Sequence, residues 1–217
     1  MRKQRDISLG KMNGVLFKPS QEFESTFPAL ASLLRKATVI DFVAENNQSF
    51  RQYIWTHKTG CTTGWLCRME HQRPQDVTYI SEHLLLAKQV GGIIHYWCGH
   101  ENDVLTVIDN NNFTFTLKDC TTGLGGHEDY YYELCEEEAA PLDISKFTVF
   151  ALEANGDITL YNTETKQVYV FLPGDYSPFE FTPVEGQPLG TFYKYDRAET
   201  FVEFVELLAK QWLEIIK

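Results

Sequence analysis

Phe147-Thr-Val-Phe-Ala-Leu152 is the first of three apolar segments near the C-terminal end that decide the fold. The second is Asp157-Ile-Thr-Leu-Tyr161, and the third is Gln167-Val-Tyr-Val-Phe-Leu172. Short runs of apolar and β-branched residues bounded by polar turns are typical of strands. The Asn155-Gly156 pair favours a tight hairpin turn, because both positions tolerate positive φ. We therefore predict a meander of three antiparallel strands.

A helix is predicted behind this meander, over residues 197–216. The preceding Asp196-Arg-Ala-Glu199 has the spacing of a capping box, with an acid at the cap and Glu three residues later. Apolar residues then recur at helical spacing, so one face of the helix is expected to pack on the sheet. These residues are Phe201, Phe204, Val205, Leu208, Trp212, Leu213 and Ile216.

The N-terminal half alternates between helix and strand patterns. A helix in two pieces is predicted over 20–36, with Ser20 as its cap and Pro28 opening the second piece. Another is predicted over 81–90, capped by Ser81 and ended by Gly91. Strands are predicted at 38–43, 50–55 and 93–97 and as a hairpin over 104–117, whereas the polar stretch 58–75 is expected to be a loop.

Together these elements predict an α+β fold with a mainly antiparallel sheet of about six strands packed against helices. Residues 1–19 are interpreted as an N-terminal tail and lead-in, and residues 20–217 as a single domain. The glycines and the tyrosine and acidic runs of residues 119–143 break the regular pattern. This stretch is interpreted as an acidic, Tyr-rich insertion.

Composition restricts the classes of partner and compartment. The net charge is −11, from 30 acidic and 19 basic side chains. This argues against direct nucleic-acid binding, in which Lys and Arg neutralise phosphates, and is compatible with a basic protein partner. There is no apolar run of about 20 residues and no signal-peptide core, so we expect a cytoplasmic protein without membrane segments. The odd number of cysteines, 5, predicts reduced thiols.

The C-terminal third resembles the SUKH superfamily, which includes the Smi1/Knr4-like proteins. The resemblance rests on the Gly156-Asp157 turn, the Val168-Tyr169 strand start and the closing Thr200-Phe-Val-Glu-Phe-Val205 helix. The stretch Leu84-Leu-Leu-Ala-Lys-Gln-Val-Gly-Gly92 is similar to the helix, Gly-Gly and strand element of that family. The resemblance covers residues 81–97 and 147–216. The chain departs from the pattern in its long N-terminal half and at residues 119–143.

This resemblance implies a non-enzymatic binding protein without a cofactor. Many bacterial SUKH proteins look like immunity proteins that neutralise a cognate toxin, often a nuclease, whereas fungal members act in signalling scaffolds. The expected function is therefore toxin neutralisation, with a regulatory or scaffold role as the alternative. The resemblance does not indicate the oligomeric state.

The acidic stretch is the predicted partner-binding site. No basic residue occurs between Lys118 and Lys146. Tyrosine is enriched at binding hot spots, and surrounding carboxylates would raise the association rate with a basic surface. The alternative is a solvated acidic loop whose tyrosines turn into the core. The candidate residues are Glu128, Asp129, Tyr130, Tyr131, Tyr132, Glu133, Glu136 and Glu137.

Two chemical alternatives use the cysteines. Zinc would need four closely spaced soft ligands, and the separations of Cys61, Cys67 and Cys98-Gly-His100 do not have the usual Cys-x₂₋₄-Cys pattern. We therefore predict no metal site. A hydrolase would use Cys98 or Cys61 as a nucleophile with a histidine as base, which requires an adjacency that spacing does not reveal. No Gly-x-Ser-x-Gly, Cys-x-x-Cys or His-Glu-x-x-His motif accompanies these cysteines.

Overall fold

The computed structural model describes residues 13–44, 46–70, 72–97, 113–153, 156–173 and 181–217. These residues form two antiparallel sheets and five α-helices, so the predicted α+β class is confirmed. The number of sheets differs from the prediction, which was a single sheet of about six strands. Within the described residues, the two sheets meet at an isolated bridge, where Phe115 N donates to Ile93 O at 2.8 Å.

The first sheet contains the five strands of the N-terminal half in the order β1-β2-β3-β4-β5, each antiparallel to its neighbours. Strands that are consecutive in the chain are therefore neighbours in this sheet throughout. The strands are β1 (Asn13–Val15), β2 (Thr38–Val43), β3 (Ser49–Thr56), β4 (Thr62–Arg68) and β5 (Gly92–Trp97).

The second sheet is built around the predicted meander, which is confirmed as β8-β9-β10. Its order is β11-β12-β10-β9-β8-β6, and the two-residue β7 also pairs with β8. The strands are β6 (Phe113–Thr114), β7 (Thr121–Thr122), β8 (Phe147–Glu153), β9 (Ile158–Asn162), β10 (Val168–Phe171), β11 (Phe181–Pro183) and β12 (Phe192–Tyr195).

The predicted helices are present with small differences at their ends. They are α1 (Gln21–Thr26), α2 (Pro28–Arg35), α3 (Ser81–Val90) and α5 (Phe201–Ile215). A further helix, α4 (Glu128–Glu138), and two 3₁₀ turns, Leu117–Asp119 and Ile144–Lys146, complete the helical elements of the described residues. None of these helices combines the length and the apolar character that crossing a membrane requires.

Two of the predicted helix caps were wrong. The capping box of α5 is formed by Thr200 and Glu203, and the carboxylate of Asp196 instead accepts a hydrogen bond from Thr182 Oγ1 at 2.6 Å. Helix α3 has Ile80 at its cap position without a side-chain cap, and Ser81 is its first residue. The start of α5 is therefore four residues later than predicted, whereas α3 spans the predicted range and only its cap position differs. Ser20 caps α1 as predicted.

Strand β4 lies where a polar loop was predicted over 58–75, and it is central to the first sheet. Its sequence contains Gly64, which is uncommon in strand interiors. A Cβ at Gly64 would lie 2.4 Å from both the Trp97 ring and the carbonyl oxygen of Tyr53. The glycine therefore allows the indole of the neighbouring strand to lie against the backbone, which a local pattern does not reveal.

Helix α5 packs against both sheets and joins their cores. In its first turn, Phe201 contacts the Phe150 ring of the second sheet at 5.1 Å between centroids. Near its end, Trp212 packs on Trp55 and Trp65 of the first sheet at 5.4 and 5.2 Å. A single hydrophobic cluster therefore extends across the described part of both sheets on the side of α5.

The second sheet is covered on both faces, which explains why its strands are apolar at most positions. Adjacent residues of a strand point to opposite faces. In β9, Tyr161 belongs to the cluster on the side of α5, whereas Leu160 belongs to a second cluster with residues of α4. In β8 a bulge between Val149 and Ala151 shifts this alternation.

Parts of two predictions lie outside the described residues. The first arm of the hairpin expected over 104–117 is one of them, and so is Asn155 of the predicted turn. Gly156 is described and has a φ of +98°, as expected for such a turn. In the second arm, Phe115 and Leu117 are both buried, and Leu117 already belongs to a 3₁₀ turn.

Candidate functional site

All eight predicted partner-binding residues lie on helix α4, so the break in regular structure expected over residues 119–143 was wrong for this part of the stretch. The stretch contains an 11-residue helix, Glu128–Glu138, preceded by glycines with positive φ. Residues three and four apart lie on the same side of a helix. The helix therefore sorts the predicted residues into an inward and an outward face.

Tyr131 is the centre of the inward face and is not accessible to a partner. Its side chain is 0% exposed and packs on Phe192 at 5.2 Å between ring centroids. The hydroxyl donates a hydrogen bond to Gln187 Oε1 at 2.5 Å and accepts one from Leu142 N at 2.7 Å. Burial raises the pKa of this hydroxyl above its usual range. Tyr131 is therefore a structural residue that anchors α4.

Glu128 and Tyr130 also have structural roles. Glu128 Oε1 accepts a hydrogen bond from Leu124 N at 2.8 Å, which ties the first turn of α4 to the preceding glycine loop. Tyr130 is half-buried and meets Phe171 edge to face at 6.4 Å. Three of the eight predicted residues therefore hold α4 on the second sheet and present little surface to a partner.

The outward face of α4 consists of Asp129, Tyr132, Glu133 and Glu136. All four are exposed, and their positions i, i+3, i+4 and i+7 fall on one stripe of the helix. Tyr132 is 41% exposed and lies between the carboxylates in sequence. The side chain of Glu137 lies outside the described residues. We call these four residues the α4 outward face.

The α4 outward face lies on a helix that is packed against the second sheet, and no nearby lysine or arginine in the sequence offsets its negative charge. The helix is held from below by a cluster that contains Leu124, Tyr131 and Cys135 from this segment, together with second-sheet residues. The chain has no lysine or arginine from residue 119 to residue 145. The arrangement can therefore present acids and one aromatic ring on a surface that is already ordered before binding.

The described cysteines do not have the environment of a catalytic nucleophile. Burial raises the pKa of Cys67 and of Cys120 above the usual thiol range, so both stay protonated near neutral pH. Cys120 Sγ also donates to Thr116 O at 3.1 Å. Cys135 is buried on the inner side of α4. Cys98 and His100 lie outside the described residues, so their pairing stays untested.

Cys61 is exposed, and the nearby His57 is engaged elsewhere. His57 N donates to Cys61 O at 2.8 Å in a tight turn. The ring Nδ1 of His57 accepts from Thr59 N at 3.1 Å and lies 2.7 Å from Thr59 Oγ1. The histidine thus serves to stabilise this turn. No group of three or more potential ligand side chains is close enough to hold a metal ion anywhere in the described ranges.

Two buried carboxylates were not predicted from the sequence, and both satisfy backbone donors. Glu206 of α5 accepts from Ala29 N and Leu30 N at 2.8 and 3.0 Å, and so caps the start of α2. Glu70 accepts from Leu117 N and Lys118 N at 2.7 and 3.0 Å. A buried acid with such partners is expected to be structural. The sequence carries no local signal for either contact, because each joins residues far apart in the chain.

Comparison of the chain with protein-family models, with curated proteins and with solved structures finds no match. The SUKH resemblance therefore remains an expectation from the residues that carry it.

Proposed function

We propose that the chain is a non-enzymatic protein-binding module that uses the α4 outward face against a partner with a basic surface. The observation that supports this proposal is the placement of three carboxylates and Tyr132 on one exposed stripe of an anchored helix. Aromatic residues contribute much of the binding energy at interfaces, and surrounding acids accelerate association with a cationic surface.

The partner class that we propose for this face is a nuclease-type toxin, which the chain would neutralise in the cytoplasm as an immunity protein. A nuclease carries cations where it holds substrate phosphates. Carboxylates three and four residues apart on a helix lie about 5–6 Å apart between Cβ atoms, so they form a line of negative charge. Such a line would occupy the cationic surface and exclude the substrate. This choice of partner also uses the SUKH resemblance.

A regulatory or scaffold protein would use the same face against a cellular partner. The acidic stripe supports this second candidate equally, because it specifies the charge of the partner and not its activity. The two candidates differ in what happens to the partner. An immunity protein abolishes a nuclease activity at equal stoichiometry, whereas a scaffold leaves the activity of its partner intact.

The test begins with capture of partners on the tagged protein at low and high salt, followed by binding measurements with the purified partner. In the variant E133K/E136K we expect binding to weaken by about tenfold or more and to become less sensitive to salt. The matched control is E22K/E214K, which changes the net charge equally at exposed positions on α1 and α5. The control should bind within about twofold of wild type.

Either of two results would contradict the proposal. Binding of E133K/E136K with the affinity of the unmodified protein would place the interface elsewhere. An equal loss of affinity in the control and the test variant would mean that net charge and not the α4 outward face determines binding. Nuclease inhibition by the wild-type chain then separates the immunity role from the scaffold role.

A further inference from the structure

A groove lies between the start of β3, the end of β4 and the segment that follows β4. Its volume is about 630 Å³. Gln48 lines it from the turn that precedes β3, Arg68 from the end of β4, Gln72 and Arg73 from the following segment, and Lys118 from the 3₁₀ turn. No residue of α4 lines this groove. It is therefore distinct from the α4 outward face.

The charge around this groove is opposite to the charge of the chain. A smaller groove shares Met69 with it and is lined by Lys18, Arg51 and Lys88. Six of the chain's 19 lysines and arginines thus line the two grooves. Glu70 is the only acid among the described lining residues of either one. Arg51 is paired with Asp41 at 2.7 Å, so the excess of cations rests on Lys18, Lys88, Arg73 and Lys118. In a chain of net charge −11, this excess marks the surface as anion-attracting.

Glu70 contributes little negative charge to the open groove, because its carboxylate is hydrogen-bonded to groups inside the protein. Its side chain is 2% exposed and accepts from two backbone N–H groups and from Arg68 Nη2, the last at 3.3 Å. Arg68 also lies 3.5 Å from Asp119. These contacts hold Arg68 and the backbone of Lys118 in place along the groove.

Arg73 and Lys118 are the cations left for a ligand. The guanidinium carbon of Arg73 lies 5.3 Å from the centre of the Tyr79 ring, a contact that orients the side chain without neutralising it. Lys118 is exposed, and only its backbone N–H is engaged, by Glu70. Neither side chain has an acidic partner within ion-pair distance in the described part of the chain.

We propose that this groove binds a phosphate-bearing small molecule. Arg and Lys side chains that converge on a concavity form charge-assisted hydrogen bonds with phosphate oxygens. The amides of Gln48 and Gln72 and the apolar Met69 and Pro74 add polar and apolar contacts for the remainder of the ligand. The volume is in the range of small-molecule sites, about 300–1,000 Å³.

The test is calorimetric titration of the full chain with pyrophosphate, with glutarate as a doubly charged anion that lacks phosphate. We expect saturable binding of pyrophosphate and at least about tenfold weaker binding of glutarate. The variant R73Q/K118Q should lose about tenfold or more in pyrophosphate affinity. K36Q/K210Q removes the same charge at exposed positions outside the groove and should stay within about twofold of wild type.

Three outcomes would overturn the proposal: no saturable binding by the wild-type chain, equal binding of glutarate, or equal loss of affinity in both double variants. Arg73 and Lys118 are exposed, so an unchanged far-ultraviolet circular dichroism spectrum and thermal midpoint will confirm that R73Q/K118Q is folded. E133K/E136K should retain pyrophosphate binding, which separates this site from the α4 outward face.

Discussion

Helices α4 and α5 cover opposite faces of the same sheet, but they are held there in different ways. Helix α5 is apolar along its inner side, where Phe201, Phe204 and Trp212 are all buried. Helix α4 is mostly polar, and its inner side relies on Tyr131 with two hydrogen bonds and on the buried Cys135. Helix α5 is therefore held on the sheet by apolar packing, whereas α4 is held by packing together with specific hydrogen bonds.

This difference shows why one helix was predicted and the other was not. The spacing of apolar residues identifies an amphipathic helix when its buried side is hydrocarbon. In α4 the buried positions are occupied by a tyrosine, a cysteine and a carboxylate that bonds the backbone, so the pattern is hidden. Three experiments test whether the two faces of the sheet differ as described.

The largest effect is expected for Trp212→Ala, on the side of α5. The indole is 1% exposed and packs on Trp55, Trp65 and Tyr96. Its removal leaves a cavity where the two sheets share one helix, and we expect the free energy of unfolding to fall by about 3–5 kcal/mol. Urea unfolding measures the change. Glu214→Ala, on the exposed side of α5, should cost less than about 0.5 kcal/mol. A similar small cost for both variants would show that α5 does not join the cores.

The next largest effect is the pH dependence of stability that His83 causes. His83 packs against Phe201 on the side of α5. Burial among aromatic rings lowers the pKa of His83 to about 3, so the folded chain keeps it neutral. The unfolded chain binds a proton as the pH falls below about 6.5, which destabilises the folded state in that range. We expect His83 to account for a loss of about 2 kcal/mol between pH 7 and pH 5.

His83→Phe tests this pH effect, because phenylalanine cannot titrate. The unfolding free energy of the variant should fall less between pH 7 and pH 5 than that of the wild type, by about 2 kcal/mol. Tyr131→Phe, on the side of α4, should keep the wild-type pH dependence. If His83→Phe and the wild type show the same pH dependence, His83 is not buried as a neutral side chain.

The smallest effect is expected for Tyr131→Phe, which retains the ring and removes the hydroxyl. Gln187 loses its donor, and the backbone N–H of Leu142 loses its acceptor. We expect a loss of about 1–2 kcal/mol in urea unfolding. Tyr130→Phe is the matched control on the same helix, and it should change stability by less than about 0.5 kcal/mol. Equal effects in the two variants would mean that polar contacts do not anchor α4.

The candidate site was predicted only in part, for the same reason that α4 was not predicted. The sequence was sufficient to select residues 128–137 by charge and by their tyrosines. It was not sufficient to assign Tyr131 inward and Tyr132 outward, because that depends on the phase of a helix that was not predicted. The partner of Tyr131, Gln187, is 56 residues away along the chain. The groove around Arg73 and Lys118 was likewise hidden, because these residues are distant in the sequence.

The sequence by itself determined the α+β class, the meander of β8, β9 and β10 and the helices that have an apolar face. Each of these follows from the order of apolar and polar residues over one or two turns or strands, which is a local property. Tertiary structure alone decided which polar side chains are buried and where charges gather. Glu206 caps a helix 176 residues away at Leu30. The free energy of a buried polar group depends on partners brought together by the fold, and no local pattern specifies them.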